Sequence, residues 1–367
     1  MNLLMISGDR ALAAGKHGAF WATLEELRRH WNRIDVICPH VAHPAPSPFE
    51  NVFLHPSPWG LHRQPRWIVT KGTELVRQHR HAVATVHEYP PFYNSIGAKR
   101  LRRATGMPYV IEIHHVVGWP MAADAKELAG KALSRLGLRW VTRGAASVRC
   151  VNATQADLLR RWGVTSRIDI VPSMYLDHTT LRADPGIRKT VDVMACGRLV
   201  PNKAFDRLLA ALALVPSATL CIIGEGPDRT RLERLAQRLG ITPRVRFAGW
   251  LPHDNLYAAL QEGRVFAMTS LSEGGPRVAL EAMALGLPTV ATRVGLMPDV
   301  IRDGENGLLT ESDPQAIATA IGRLLHDDGL RSSIAAAAPG ILQRFERSSA
   351  IAAYAEYLKK IAASAHS

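Results

Sequence analysis

Residues 272–292 read SEGGPRVALEAMALGLPTVAT, and this stretch decides the fold. It follows an apolar run at 265–268 with the pattern of a buried strand. Gly274, Gly275 and Pro276 then turn the chain. Val278, Leu280, Ala282, Met283 and Leu285 recur at helical spacing, and 287–291 reads as another strand. Strand, turn, helix and strand in that order make the repeating unit of a parallel sheet. Pro276 suits a first helical turn, where its missing N–H costs nothing. The paired glycines let a ligand approach bare backbone, and unpaired amides at a helix start attract phosphate. Glu273 lies in the loop before the helix and Glu281 within it. Two carboxylates repel phosphate but are strong acceptors for hydroxyl groups. The combination fits a nucleotide sugar, with diphosphate on the amides and ribose and sugar hydroxyls on the two acids. Taken alone, the same residues also read as a solvated loop glutamate and an ordinary helical one.

Working outward, the same alternation fills the second half. Strands are expected at 191–195, 218–223, 245–248, 265–269 and 288–292, with helices at 205–215, 229–239, 253–261 and 276–285. The first half repeats the theme, with strands at 2–6, 34–38, 52–54, 82–86, 109–113, 147–151 and 168–171. Helices at 19–31, 67–80, 95–105, 122–143 and 153–162 lie between them. At 172–190 the periodicity lapses, and we read a linker. The expectation is an α/β chain of two tandem doubly wound domains, 1–172 and 191–345, joined by a linker at 173–190. The tail at 346–367 has helical spacing and is expected to pack back on the first domain.

At 367 residues the length suits two domains, and 47% hydrophobic content with 21% charged residues describes an ordinary globular chain. MNLLMI lacks the basic lead and long apolar core of a secretory signal, and no stretch has the roughly 18 apolar residues of a membrane span. Cys38, Cys150, Cys196 and Cys221 lie beside apolar runs without CxxC spacing, which suggests buried thiols in a reducing, cytoplasmic setting. The net charge of +13 is uneven. Residues 1–170 carry 23 Lys/Arg against 12 Asp/Glu, a net of +11. Such an excess suits an anionic membrane surface, an acidic substrate, or nothing beyond solubility.

In open parallel sheets ligands bind beyond the carboxyl ends of strands, so the strand-to-helix loops are where chemistry should lie. SGDRALAAGKHG at 7–18 is too long for a dinucleotide fingerprint, though Gly15 and Gly18 could sit near a phosphate. His87 and Glu88 follow one strand, and His114 with His115 follows another. Gly197, Arg198 and Lys203 follow the first strand of the second half. There a strand-end glycine admits a ligand and two cations can stabilise a departing diphosphate. Taken singly, each is equally a surface cation. GEGP at 224–227 and GWLP at 249–252 read mainly as turns. The chain holds no Asp-x-Asp, HExxH or GxxxxGK[ST].

With Gly197-Arg198-x4-Lys203, IIGEGPDRTRLE at 222–233, VRFAGWLP at 245–252 and Glu273-x7-Glu281 in order, the chain resembles the retaining glycosyltransferases of family 4. That resemblance implies the GT-B fold, two Rossmann-like domains facing across a cleft. It implies that Arg198 and Lys203 bind the donor diphosphate and stabilise the leaving group, and that Glu281 holds the ribose hydroxyls. Glu273 would contact the donor sugar, and Gly274, Gly275, Pro276, Arg277 and Val278 would line sugar and phosphate. His114 would lie beside the transferred sugar, and Gly197 and Gly18 near the diphosphate. Transfer would need no metal and would retain configuration. Family members often carry Glu-Gly-Phe-Gly where this chain has Glu273-Gly274-Gly275-Pro276, which leaves the sugar preference open.

The resulting expectation is a cytoplasmic glycosyltransferase moving a hexose from a nucleotide sugar to a lipid-linked or polysaccharide-precursor acceptor, peripheral on the inner face of the cell membrane. Lys99, Arg100, Arg102 and Arg103, with an apolar patch at Trp67, Ile68 and Val69, are the expected membrane contacts. A nucleotide-sugar epimerase of similar fold is the enzymatic alternative. A basic nucleic-acid-binding protein is the other class, but no recognition motif accompanies the charge and no nucleic acid is expected.

Overall fold

A computed structural model describes residues 1–365, so the last two residues of the expected tail helix lie outside the described residues. The chain divides into two compact units. One comprises 1–116, 132–173 and 347–367, the other 117–131 and 174–346. Each is built on one parallel sheet, and the chain has the GT-B class of architecture expected from its sequence.

The first sheet contains β1 (Asn2–Ile6), β2 (Arg33–Cys38), β3 (Val52–Pro56), β4 (Val83–His87), β5 (Tyr109–Ile113), β6 (Ser147–Cys150) and β7 (Ile168–Ile170). Their order is β3-β2-β1-β4-β5-β6-β7. The second contains β8 (Val191–Cys196), β9 (Leu220–Ile223), β10 (Val245–Gly249), β11 (Gly263–Met268), β12 (Thr289–Thr292) and β13 (Leu308–Thr310), in the order β10-β9-β8-β11-β12-β13. Central strands are buried on both faces, which is why they read as unbroken apolar runs. In each sheet the direction of strand addition reverses once, between β1 and β4 and between β8 and β11. Loops leaving such a pair diverge to opposite faces and open a crevice at the carboxyl ends.

Two short elements escape sequence reading. Arg10–Ala13 is a helical turn capped by Asp9, whose carboxylate accepts from Ala11 N at 2.6 Å, so the 7–18 loop is partly structured. β13 is three residues long. Residues 174–190 form no helix or strand, yet they are fastened to the second unit. Leu181 is buried, Lys189 Nζ donates to Gln261 O at 2.7 Å and Asp184 N donates to Gln261 Oε1 at 2.6 Å.

Trp67–Val69 does not form an open apolar patch: Ile68 is turned inward, and Trp67 and Val69 are half-buried. The helix Gln64–His79 turns Pro65, Ile68, Gly72 and Leu75 inward, and Ile68 is fully buried. Close approach of the neighbouring helix Tyr93–Thr105 depends on glycine. A Cβ on Gly97 would lie 2.6 Å from Ile68 Cδ1, and one on Gly72 2.7 Å from Leu101 Cδ2. Trp67 itself donates its indole N–H to His55 O at 3.1 Å.

The tail helix Arg347–Ser364 packs on the helix Ala19–Leu27 and on β4. Arg347 donates to Ala22 O at 2.7 Å and pairs with Glu25 at 2.6 Å. Away from the carboxyl ends, fully buried Asp35 on β2 takes hydrogen bonds from Arg33 (2.7 Å), His55 (2.7 Å) and His81 (2.8 Å). Burial alone would raise its pKa, but these three donors hold it far below the ordinary range. The folded value lies below the unfolded value of about 3.9. The carboxylate's contribution is therefore complete above about pH 4 and is lost as pH falls towards the folded pKa. We predict that Asp35→Asn costs about 3–5 kcal/mol at pH 7, read by urea unfolding, and that the gap to wild type narrows below pH 4.

Candidate donor site

The crevice of the second sheet is assembled by backbone before any ligand group is placed. Gly197 N donates to Ile223 O at 3.0 Å, Leu199 N to Glu225 O at 2.9 Å and Asp228 N to Leu199 O at 3.0 Å. These bonds lock the loop after β8 onto the loop after β9. A Cβ on Gly224 would fall 2.0 Å from Gly197 O, and one on Gly226 2.4 Å from Leu199 O. GEGP is thus more than a turn, because its glycines let two backbones touch and hold the loop that carries Arg198 and Lys203. Across the switch point, Leu271 N donates to Asn202 O at 2.8 Å and Thr269 Oγ1 to Lys203 O at 3.1 Å. The loops leaving β8 and β11 are stitched to one another.

Lys203 Nζ then donates to Glu273 Oε1, which also accepts from Ser270 Oγ at 2.8 Å. Both side chains are largely covered. The sequence pairs these residues 70 positions apart, and the fold brings them into direct contact. Arg198, on the same loop as Lys203, is exposed. Gly295, at φ +58°, lies against the backbone of 273–274, where a Cβ would be 2.6 Å from Gly274 O. Gly275 packs against Met174, leaving no room for a side chain.

Helix Arg277–Ala284 begins one residue later than expected, with Pro276 as its N-cap. Glu281 lies just over one turn in and is 1% exposed, so it is not an ordinary helical glutamate. Its Oε1 accepts from Tyr257 Oη at 3.1 Å, and Arg277 stands 3.8 Å away with its guanidinium over the Tyr175 ring. Burial pushes Tyr257 well above the ordinary tyrosine value, and Glu281 adds to the shift. Burial also pushes the Cys196 thiol up to about 12, with Glu281 adding and Lys203 opposing. Segment 117–131, expected in the first domain, groups with this unit. It forms an antiparallel bridge between Pro120 and Ser272, and Met121 N donates to Leu271 O at 3.4 Å, directly beside the Glu273 loop.

The first unit carries a second constellation at its own carboxyl ends. Ser7 Oγ after β1 lies 3.4 Å from His87 Nδ1 at the end of β4. His87 Nε2 is 2.9 Å and His114 Nε2 3.7 Å from Glu112 Oε2, and the two imidazoles meet edge to face with centroids 5.1 Å apart. Arg149 donates to Glu112 Oε1 at 2.8 Å, and Tyr354 Oη donates to the same oxygen at 2.5 Å. Burial would raise Glu112, yet Arg149, His114 and His87 hold it well below the usual carboxylate range. Desolvation, partly offset by Glu112, lowers His114, although its side chain keeps 38% exposure. The shift favours the uncharged imidazole. Sequence reading found His114 and missed Glu112, Arg149 and Tyr354. The signal was present: Glu112 and Arg149 interrupt adjacent apolar strands and sit opposite one another in register.

His87, Glu112 and His114 place three ligand atoms within 4.8 Å of one another, the one such group among the described residues. They could hold a divalent cation. Arg149 already gives Glu112 the neutralising charge that such an ion would bring. Gly18 caps the helix Ala19–Leu27 with open space above its Cα.

Two glycine substitutions separate loop locking from general backbone strain. Gly224→Ala is expected to destabilise the protein by about 2 kcal/mol or more, because the methyl must displace backbone. Gly240→Ala, at φ +68° with open space around it, should cost about 1 kcal/mol. Urea unfolding of both variants checks the difference.

A glycosyl transferases group 1 profile matches residues 177–340, and a glycosyl transferase 4-like domain profile matches 13–173. A lipopolysaccharide core biosynthesis glycosyltransferase, LpsE of Rhizobium meliloti, is 40% identical over 144 residues, covering 39% of this chain and 42% of the relative. The GDP-mannose-dependent alpha-(1-6)-phosphatidylinositol monomannoside mannosyltransferase of Mycolicibacterium smegmatis is 32% identical over 250 residues, 62% of this chain and 63% of the relative. The chain thus spans less than two thirds of the length of these curated relatives. Among solved structures, sucrose-phosphate synthase from Thermosynechococcus elongatus superposes with a TM-score of 0.84 at 19% identity over 99% of each chain, a likeness of fold. Two profiles that meet near residue 175, with the paired-loop geometry each unit displays, establish that this chain belongs to the family 4 glycosyltransferases of the GT-B fold.

Proposed function

We propose that the protein transfers a hexose from a nucleoside-diphosphate sugar to a hydroxyl of a lipid-linked or polysaccharide-precursor acceptor, with retention of configuration and without a metal. The observation that carries this reading is the contact of Lys203 with Glu273 across the β8/β11 switch, with Arg198 on the same loop and buried Glu281 on the helix that follows Glu273. The relatives named above support it, since one acts in lipopolysaccharide core biosynthesis and another is a GDP-mannose-dependent transferase.

The chemistry follows from charge. Breaking the bond from the anomeric carbon to the diphosphate leaves negative charge on the departing oxygen. Arg198 and Lys203 take up that charge, and a dry site makes their effect larger than in water. Glu273, held by Lys203 and Ser270, offers acceptor oxygens to sugar hydroxyls. Glu281, fixed by Tyr257, offers them to the ribose diol. Residues 274–278 give close backbone approach to sugar and phosphate. His114 is assigned to the sugar from the family resemblance and its place after β5. A neutral imidazole at that position can exchange hydrogen bonds with a hydroxyl without adding charge. The incoming hydroxyl would attack from the leaving group's face, and its proton would pass to the diphosphate oxygen.

Lys203→Ala should lower kcat by about 10²–10³, while Glu273→Ala should fall comparably with nucleoside diphosphate binding retained. Turnover is read as nucleoside diphosphate released only when acceptor is supplied, with chelator present throughout. Unchanged turnover in both variants removes the assignment. Sugar interconversion without acceptor points to an epimerase instead, and loss of all turnover with chelator contradicts the metal-free reading.

A further inference from the structure

The helix Ala125–Val141 buries Ser134, Leu138 and Val141 and leaves a broad face uncovered. On that face Leu133, Leu136 and Trp140 recur at i, i+3 and i+7, with exposures of 44%, 78% and 52%. Leu128, earlier on the same helix, is 61% exposed. Scattered surface leucines need no explanation, but a helical row ending in tryptophan does. The surroundings are uniformly cationic. Arg135, Arg139 and Arg143 flank the row and are exposed. Lys99, from the helix Tyr93–Thr105, donates to Trp140 O at 3.3 Å and places its ammonium 4.8 Å from the Trp140 ring centroid. Arg102 donates to Gly144 O, and Arg100 and Arg103 continue the charge along that helix. Residues 89–111 and 132–156 contain no Asp or Glu.

We propose that this face of the first unit docks on the surface of an anionic phospholipid bilayer, with Leu133, Leu136 and Trp140 entering the headgroup boundary and the seven flanking cations meeting lipid phosphates. Charge selects this occupant. A second copy of the chain, placed symmetrically, would set cations against cations. A nucleic acid would match the charge and leave the leucines in water. A bilayer satisfies both the apolar row and the cations, as amphipathic helices lying in an interface do. No described helix is long and apolar enough to cross a membrane, so the contact is peripheral. The surface stands in place of Trp67–Val69, where Ile68 is buried, and keeps the basic run at 99–103. It bears on the proposed reaction only by bringing the enzyme to a lipid-linked acceptor, and its test needs no turnover.

The test is co-sedimentation of the full chain with vesicles of phosphatidylcholine alone or mixed with phosphatidylglycerol, across a salt series. Binding to mixed vesicles at low salt is expected, with little to phosphatidylcholine and a decline as salt rises. Leu136→Asp with Trp140→Asp, and separately Arg135→Gln with Arg139→Gln, should each weaken binding about tenfold or more. All four positions are exposed, so circular dichroism melting and nucleoside diphosphate binding should match wild type. That control separates this inference from the proposed transfer. Absence of vesicle binding, or binding by both variants equal to that of wild type, overturns it. So does binding of random oligonucleotides or concentration-dependent dimerisation that the same variants abolish while lipid binding persists.

Discussion

The chemistry proposed for the second unit rests on the pairing of Lys203 with Glu273 across the point where the sheet reverses its strand order. An exposed ion pair is worth little. This one is mostly covered and is backed by hydrogen bonds from Leu271 N to Asn202 O and from the Thr269 hydroxyl to Lys203 O. The backbone fixes the loops, and the charges are then held in place at small entropic cost. In the proposed reaction a diphosphate would share the Lys203 ammonium with Glu273, which calls for both side chains to be held in place. Gly224 and Gly226 enforce that fixity from below.

The first unit obeys the same constraint with different residues. Its strand order reverses between β1 and β4, where Ser7 approaches His87. Behind them the Glu112–Arg149 pair is buried, an arrangement whose desolvation is expensive unless every hydrogen-bonding position is used. Arg149 meets that demand by also donating to Val171 O and Pro172 O, each at 2.9 Å, and Tyr354 supplies a further donor to Glu112. The tail helix therefore closes a polar network as well as an apolar surface, which explains why the chain returns to this unit at residue 347.

Much of this was legible in the sequence. Long elements with a full period, such as residues 109–113 and 205–213, declare themselves, and the loops that follow strands are where ligand groups must fall. Arg198, Lys203 and Glu273 were singled out that way, and the fold brings Lys203 and Glu273 into contact. What escaped did so for physical reasons. Three-residue β13 and the four-residue turn at 10–13 are too short to show a period. Tyr257, which donates to buried Glu281, is 24 residues away. Segment 117–131 joins the second unit through a bridge to Ser272 that no local pattern encodes. Trp67–Val69 looked like an exposed patch because nothing in the heptad says that Gly97 and Gly72 let two helices press together there. The Glu112–Arg149 pair was visible as two charges interrupting neighbouring apolar strands, and only their register shows that they meet.

The central claim is that the cations of the 197–203 loop exist to hold a diphosphate. Calorimetric titration of nucleosides and nucleoside diphosphates, with uridine, guanosine and adenosine as bases, tests it most directly. The account predicts that one diphosphate binds far better than its nucleoside, and that Lys203→Ala weakens it about tenfold or more while leaving the nucleoside unaffected. Equal affinity for nucleoside and diphosphate, or a diphosphate affinity indifferent to Lys203, would contradict it.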